Sequence, residues 1–220
     1  MIREVDLQEI SDGKLYTAND LVKAGCNDCE GCSACCRGMG NSIVLDPLDM
    51  YRLCQGLSLP PEEVLSRALE LHVVDGLILP NLKMAGAEEA CTFLNEEGRC
   101  SVHPYRPGIC RLFPLGRVYE EGSFRYFLQT NECKKENRTK VKVKKWLDTP
   151  DVAAYERFVC TWHFFLKRMG ELLASGSEEE QKQMNLYLLR LFFLTPYDGA
   201  RDFYGQVDAR IQTVNQLFGE

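Results

Sequence analysis

The sequence predicts an α+β fold: an irregular cysteine-rich region with short strands, followed by an α-helical C-terminal part. Three observations carry this. Residues 26 to 36, CNDCEGCSACC, hold five of the eleven cysteines. Between residues 42 and 129, short apolar runs alternate with Pro, Gly and Asp turn signals, which is the pattern of short strands, hairpins and short helices. From Thr149 onward cysteine almost disappears and apolar residues recur at helical spacing. The chain thus divides into a cysteine-cluster domain, residues 1–148, and a helical region, residues 149–220, packed on it.

In chain order, residues 1 to 25 read as a polar lead-in with a Ser11-Asp12-Gly13 turn and a short helix at Ala18 to Lys23. Ser42 to Leu45 is strand-like, and Asp46 followed by Pro47 starts a helix that Asp49 to Cys54 continues. Pro60-Pro61-Glu62-Glu63 opens another helix, with Val64, Leu65, Ala68 and Leu69 at helical spacing, ending near His72. Residues 73–83 read as an apolar strand pair or turn, and 84–90 as a loop. Glu97-Gly98 predicts a small hairpin presenting Cys91 and Cys100 side by side. Pro104 and Pro107 make the stretch between Cys100 and Cys110 a stiff, irregular loop. Residues 116–129 form a second hairpin turning at Glu121-Gly122-Ser123, which delivers the chain to Cys133.

Three helices follow. Thr149 as N-cap with Pro150 at the first helical position starts one that runs to about Ala174. Ser177 and three glutamates start a second, ending near Phe193 before Pro196. A third lies within 196–217, with Phe203, Val207, Ile211, Val214 and Leu217 on one face. This tail is expected to pack on the cysteine-bearing part or on a protein partner.

Composition excludes several classes. With 220 residues, 45% of them hydrophobic, the chain can bury a core without covalent cross-links. A net charge of -6 argues against a general nucleic-acid binder, whose affinity rests on neutralising phosphates. No apolar run approaches the ~20 residues that span a bilayer. The N-terminus, MIREVDLQEI, is acidic and polar where a secretory signal needs an apolar run. The expected setting is cytoplasmic, where thiols stay reduced and free to bind metal.

Cysteines two residues apart in a loop can turn their sulfurs onto one soft cation, the reason C-x2-C recurs in zinc and iron–sulfur sites. Cys35 and Cys36, being consecutive, cannot easily aim at the same ion, which suggests a second site. The candidate ligands are Cys29, Cys32, Cys35 and Cys36 with Cys91, Cys100, Cys110 and Cys133. Eight thiolates make two four-coordinate sites, or one tetrathiolate metal and one 4Fe-4S cluster. Interleaving of the two groups would tie residues 29 to 133 into one unit and make metal binding part of its folding energy.

These residues also carry a resemblance. C-x2-C-x2-C-C at 29 to 36, Cys91-x-Phe93-Leu94, Gly98-x-Cys100, and Arg106-Pro107-x2-Cys110-Arg111-x-Phe113-Pro114 resemble the YkgJ-like cysteine-cluster proteins, a zinc- or iron-chelating family whose motif also occurs in flagellin lysine-N-methylases. The resemblance covers residues 26 to 133 and leaves the helical tail outside it. Cys26 is an extra thiol beyond the motif, and His103 stands where the family usually carries an aromatic ring. The resemblance implies zinc or iron, with or without a cluster. A methyltransferase-like or cluster-dependent redox enzyme is the alternative, although no glycine-rich strand-turn-helix for an S-adenosyl group stands out.

Around the thiols, Arg106 and Arg111 flank Cys110, Arg37 follows Cys36 and Arg99 precedes Cys100. A tetrathiolate zinc carries a formal charge near -2, so nearby cations lower its cost. His103 and His163 lie three residues after Cys100 and Cys160, a ligand-like spacing; the aromatic neighbours of His163 favour core packing. His72 is expected at a helix end, and Cys54 and Cys160 in the core. The seven basic residues between Lys134 and Lys145 read as a solvated face.

Overall fold

The computed structural model describes residues 6–218; the first five residues of the predicted lead-in lie outside them. Its elements are short up to residue 147 and long thereafter, so the α+β expectation holds. A single turn, α1 (Leu7–Ile10), precedes strand β1 (Leu21–Gly25). Two 3-10 turns follow in the cysteine loop, then α2 (Pro47–Leu57) and α3 (Pro61–Ala68). Next come β2 (Leu69–Val74), β3 (Leu77–Leu82), β4 (Met84–Ala85), β5 (Ala90–Cys91) and the short helix α4 (Gly108–Leu112). A hairpin of β6 (Leu115–Glu120) and β7 (Ser123–Leu128) leads to β8 (Thr139–Lys142) and α5 (Val143–Leu147). The tail is α6 (Val152–Ala174), α7 (Glu178–Leu189) continued by a π-helical turn, and α8 (Phe203–Leu217).

All four sheets are antiparallel pairs: β1-β8, β2-β3, β4-β5 and β6-β7. Three are local hairpins or near-hairpins. The β1-β8 pair is different, because its register sets Gly25 opposite Thr139 and brings the start of the cysteine loop beside the segment that carries Cys133.

Residues 84–90, expected as a loop, begin and end in the β4-β5 pair, and Ser42 to Leu45 holds only an isolated bridge, Val44 to Asn81, in place of a strand; three further expectations need correction. Ala18 to Lys23 is not helical: β1 takes its second half, with Val22 and Ala24 buried and Leu21 and Lys23 exposed. That alternation fits a half-buried strand, and pairing with β8 decides the outcome. The helix opened by Pro61 stops at Ala68 instead of near His72, because Asp75 and Gly76, both left-handed (φ 51° and 83°), close a two-residue hairpin that draws residues 69–74 into β2. His72 therefore sits on a strand, facing Glu70 at 3.4 Å. Lastly, α6 is capped by Asp151, whose carboxylate accepts from the Ala154 N–H at 3.1 Å, while Thr149 is buried and accepts from Arg52 Nη2 at 2.6 Å.

Two caps appear as the sequence suggests. Asp46 and Asp49 form a reciprocal capping box on α2, and Ser177 with Glu180 forms another on α7. The main core runs from residue 43 to residue 214 and mixes both parts of the chain: Leu45, Leu53 and Val64 share it with Met169, Phe192, Val207 and Val214. A smaller core under β1 and β8 joins Val22 and Ala24 to Leu112, Leu115, Tyr126, Val143 and Leu147. The main core takes in Cys91, and Cys36, Cys100 and Cys110 pack against it.

Candidate metal centre

Cys35 sits in the 3-10 turn Ala34–Cys36 at the end of the cysteine loop. The chain leaves that turn extended: Arg37 bridges Ala90, and the Gly38 N–H donates to the Glu89 carbonyl at 3.0 Å. Cys91, the next residue of β5, is thereby brought beside the loop. Cys100 bridges Leu94, and the Asn95 N–H donating to the Arg99 carbonyl at 2.9 Å closes the small hairpin between them. Cys110 lies on α4. The Trp146 indole N–H, shared between the Leu112 and Phe113 carbonyls at 3.3 and 3.2 Å, fastens the end of that helix to α5.

These four thiols share one neighbourhood. Cys110 feels Cys91, Cys35 and Cys100; Cys91 feels Cys100 and Cys35; Cys100 feels Cys35. Burial is the main force raising the pKa of Cys91, Cys100 and Cys110. At Cys35 a hydrogen bond with Cys36 comes first and burial second. Left to themselves the four thiols hold their protons at neutral pH, and a thiophilic cation would displace those protons. All eleven cysteines are free thiols. Among the described residues no three Cys, His, Asp or Glu side chains already form a metal cage; the sulfurs are neighbours that an ion would draw together. Four soft donors from four segments, with no disulfide between them, are the donor set zinc and iron–sulfur clusters take.

Of the remaining candidates, Cys29 and Cys32 follow β1 in the cysteine loop. Cys29 is surrounded by Cys26, Cys32 and Cys35, and burial first, then these neighbours, pushes its pKa up to about 12. Cys36 hydrogen-bonds Cys35. Cys133 lies on the loop before β8 and is half-buried.

The arginines divide by role. Arg106 and Arg99 both favour the thiolate of Cys100. Arg111 is a structural clamp instead: its Nε donates to the Arg106 carbonyl at 3.1 Å, its Nη1 to the Asp148 carbonyl at 2.8 Å, and its Nη2 to Pro104. It thus fixes the turn between Cys100 and Cys110. Arg37 pairs with Glu88. His103 Nδ1 contacts Arg106 Nη1 at 3.0 Å, and His163 stacks on Tyr119 with ring centroids 3.5 Å apart, so the latter packs as its aromatic surroundings suggest. In the basic run, Lys134, Lys140, Lys142, Lys144 and Lys145 are exposed.

One important residue escaped the sequence reading. Asp49, only 2% exposed, accepts from the Gly108 N–H at 2.6 Å and the Asp46 N–H at 3.1 Å, joining α2 to the start of α4 two residues before Cys110. A Cβ on Gly108 would stand 2.7 Å from the Tyr155 hydroxyl, so only glycine allows this approach. The available signal was the D-x-x-D spacing after Val44-Leu45, a capping box with a second Asp in place of the usual Glu.

A family model for CxxCxxCC, described as a "putative zinc- or iron-chelating domain", matches residues 28–145, more than half of the chain and all eight candidate ligands. The chain belongs to the CxxCxxCC family. Membership supports metal binding by the cysteine-bearing region, with zinc or iron as the metal. No curated protein and no solved structure matches the chain. Among the described residues, no helix is long and apolar enough to cross a membrane.

Proposed function

We propose that this CxxCxxCC protein holds zinc or an iron–sulfur cluster at a centre formed by Cys35, Cys91, Cys100 and Cys110, with the helical region as its packing support and contact surface for a protein partner. The observation that carries this reading is the convergence of four thiols from four separate segments into one partly buried neighbourhood. Once bound, the metal would supply a strong cross-link among these segments. The chain's own residues do the rest. Burial keeps the empty thiols protonated, so loading releases protons to solvent and is favoured by rising pH. Arg99 and Arg106 offset the negative charge that the thiolates acquire. Asp49 and Arg111 hold the Cys110 helix and the turn before it in place. A reducing compartment fits this set of free thiols.

The test is elemental analysis with ultraviolet–visible spectroscopy on protein purified without oxygen. A cluster makes the sample brown with charge-transfer absorption in the visible, while zinc leaves it colourless. Stoichiometric metal lost on Cys110→Ser supports the reading. A well-folded protein that takes up neither metal overturns it.

A further inference from the structure

We propose that Cys26, which lies outside the family match, completes a second metal site with Cys29, Cys32 and Cys133. This rests on the metal-binding reading above and extends it to a separate centre with its own ligands.

The first observation is a distance. Cys26 Sγ and Cys29 Sγ are 3.5 Å apart. Two thiolates bound to one tetrahedral zinc, with Zn–S bonds of ~2.3 Å, stand about 3.8 Å apart; a disulfide would bring them to about 2.05 Å. The two thiols are thus an unbridged, hydrogen-bonded pair that needs a shift of only about 0.3 Å to share one zinc.

The second is the path of the loop. After β1 ends at Gly25, Asn27, Cys29 and Gly31 are left-handed (φ 53°, 58° and 63°). The Glu30 N–H donates to the Asn27 carbonyl and the Cys32 N–H to the Cys29 carbonyl, both at 3.0 Å. Two successive tight turns thus separate three cysteines at three-residue intervals, and Cys29 feels both Cys26 and Cys32.

The third is the opposite wall. Lys135 Nζ donates to the Glu30 carbonyl at 2.9 Å, and the β1-β8 register sets Gly25 against Thr139. The segment from 133 to 139 therefore runs back along the loop from 25 to 30, with Cys133 two residues from the Lys135 contact. Cys36 is hydrogen-bonded to Cys35 and stays with it, and Cys35, although it also feels Cys29, feels Cys91, Cys100 and Cys110; with these five set aside, Cys26, Cys29, Cys32 and Cys133 form the other group of four.

Loading balances simply: one Zn2+ enters, four S–H bonds break, four Zn–S bonds form and four protons leave to solvent, giving a formal charge of -2. Lys135, hydrogen-bonded to the Glu30 carbonyl between Cys29 and Cys32, brings one cation to the same loop.

The experiment uses the full chain reconstituted with zinc under anaerobic conditions. Native mass spectrometry counts zinc in the wild type, Cys26→Ser and Cys110→Ser, and iodoacetamide labelling followed by peptide mapping reads the accessibility of Cys26 in the unmodified protein. The expected result is two zinc ions in the wild type, one in each variant, and Cys26 alkylation slowed at least about tenfold by zinc. If the wild type binds zinc but Cys26 is alkylated at the metal-free rate, the second site is overturned while the central one stands. If the wild type binds no zinc or iron at all, the parent reading falls, and this one with it. The labelling is done on the wild type, so it decides the matter even if Cys26→Ser fails to fold.

Discussion

Replacing Asp49 with alanine tests how the helical core is coupled to the cysteine region. The Asp49 carboxyl group caps α2 by accepting from the Asp46 N–H and accepts from the Gly108 N–H at the head of the Cys110 helix. Losing half of a capping box costs about 1 kcal/mol. Leaving the Gly108 donor buried without an acceptor costs about 1–3 kcal/mol more, so the variant should lose about 3 kcal/mol in all. The loss depends on pH. Burial, and the charge of neighbouring Asp46, push the Asp49 pKa up to about 8, above its unfolded value near 3.8. The folded state then holds a proton that the unfolded state releases. Asp49's contribution to stability is full below the unfolded value and declines as pH rises through 8. The gap between wild type and Asp49→Ala should therefore be wider at pH 6 than at pH 9. Urea unfolding of the metal-loaded proteins, monitored by circular dichroism at both pH values, measures it. Zinc affinity should fall roughly 10–100-fold, as for other residues that support a ligand. A variant within about 0.5 kcal/mol of wild type, with unchanged affinity, would refute the coupling.

Other perturbations separate the parts of the molecule. Asn185→Ala removes the acceptor for the Ile78 N–H at 2.6 Å and the donor to the Gly76 carbonyl at 3.3 Å; a loss of about 2 kcal/mol in urea unfolding is expected, with zinc content per folded molecule unchanged. Gly56→Ala places a methyl 2.2 Å from the Tyr105 ring. The ring must move, and with it the turn between Cys100 and Cys110, so zinc transfer to a competing chelator should accelerate even though alanine adds about 1 kcal/mol of helix propensity. For His163, burial first of all lowers the pKa to about 4, so stability is lost as pH falls from 6.5 toward 4. His163→Phe keeps a ring on Tyr119 and should flatten that acid limb; parallel limbs in the two proteins would show that His163 does not titrate as described.

Much of the fold could be read from local chemistry, and what could not depended on contacts distant in sequence. Asp46-Pro47 and Ser177 with its glutamates announced α2 and α7, because a cap is a short-range interaction. The β6-β7 hairpin followed from Glu121-Gly122 for the same reason. Ala18 to Lys23 reads as a helix because β1 exists through its pairing with β8, and nothing local marks that partner. Likewise, the helix after Pro61 was extended into β2 because Leu69 fits either spacing, and only the Asp75-Gly76 turn and the pairing it closes decide between them. At the site, cysteine spacing gave the candidate ligands directly. It did not give their grouping, since Cys35 meets Cys91, Cys100 and Cys110 only after the chain has folded back. Arg111 was placed beside Cys110 by sequence, yet its guanidinium turns to the Arg106, Asp148 and Pro104 carbonyls.

The Gly25–Thr139 register has a further consequence in time. These residues are 114 apart in sequence, so closing the loop between them costs about 4 kcal/mol of chain entropy. During synthesis at ~5–20 residues per second, the cysteine loop emerges on the order of ten seconds before its partner strand. Throughout that interval its sulfurs face the surrounding fluid with no opposing wall. The segment that carries Cys133 can therefore close on the cysteine loop only after the ribosome has passed residue 139.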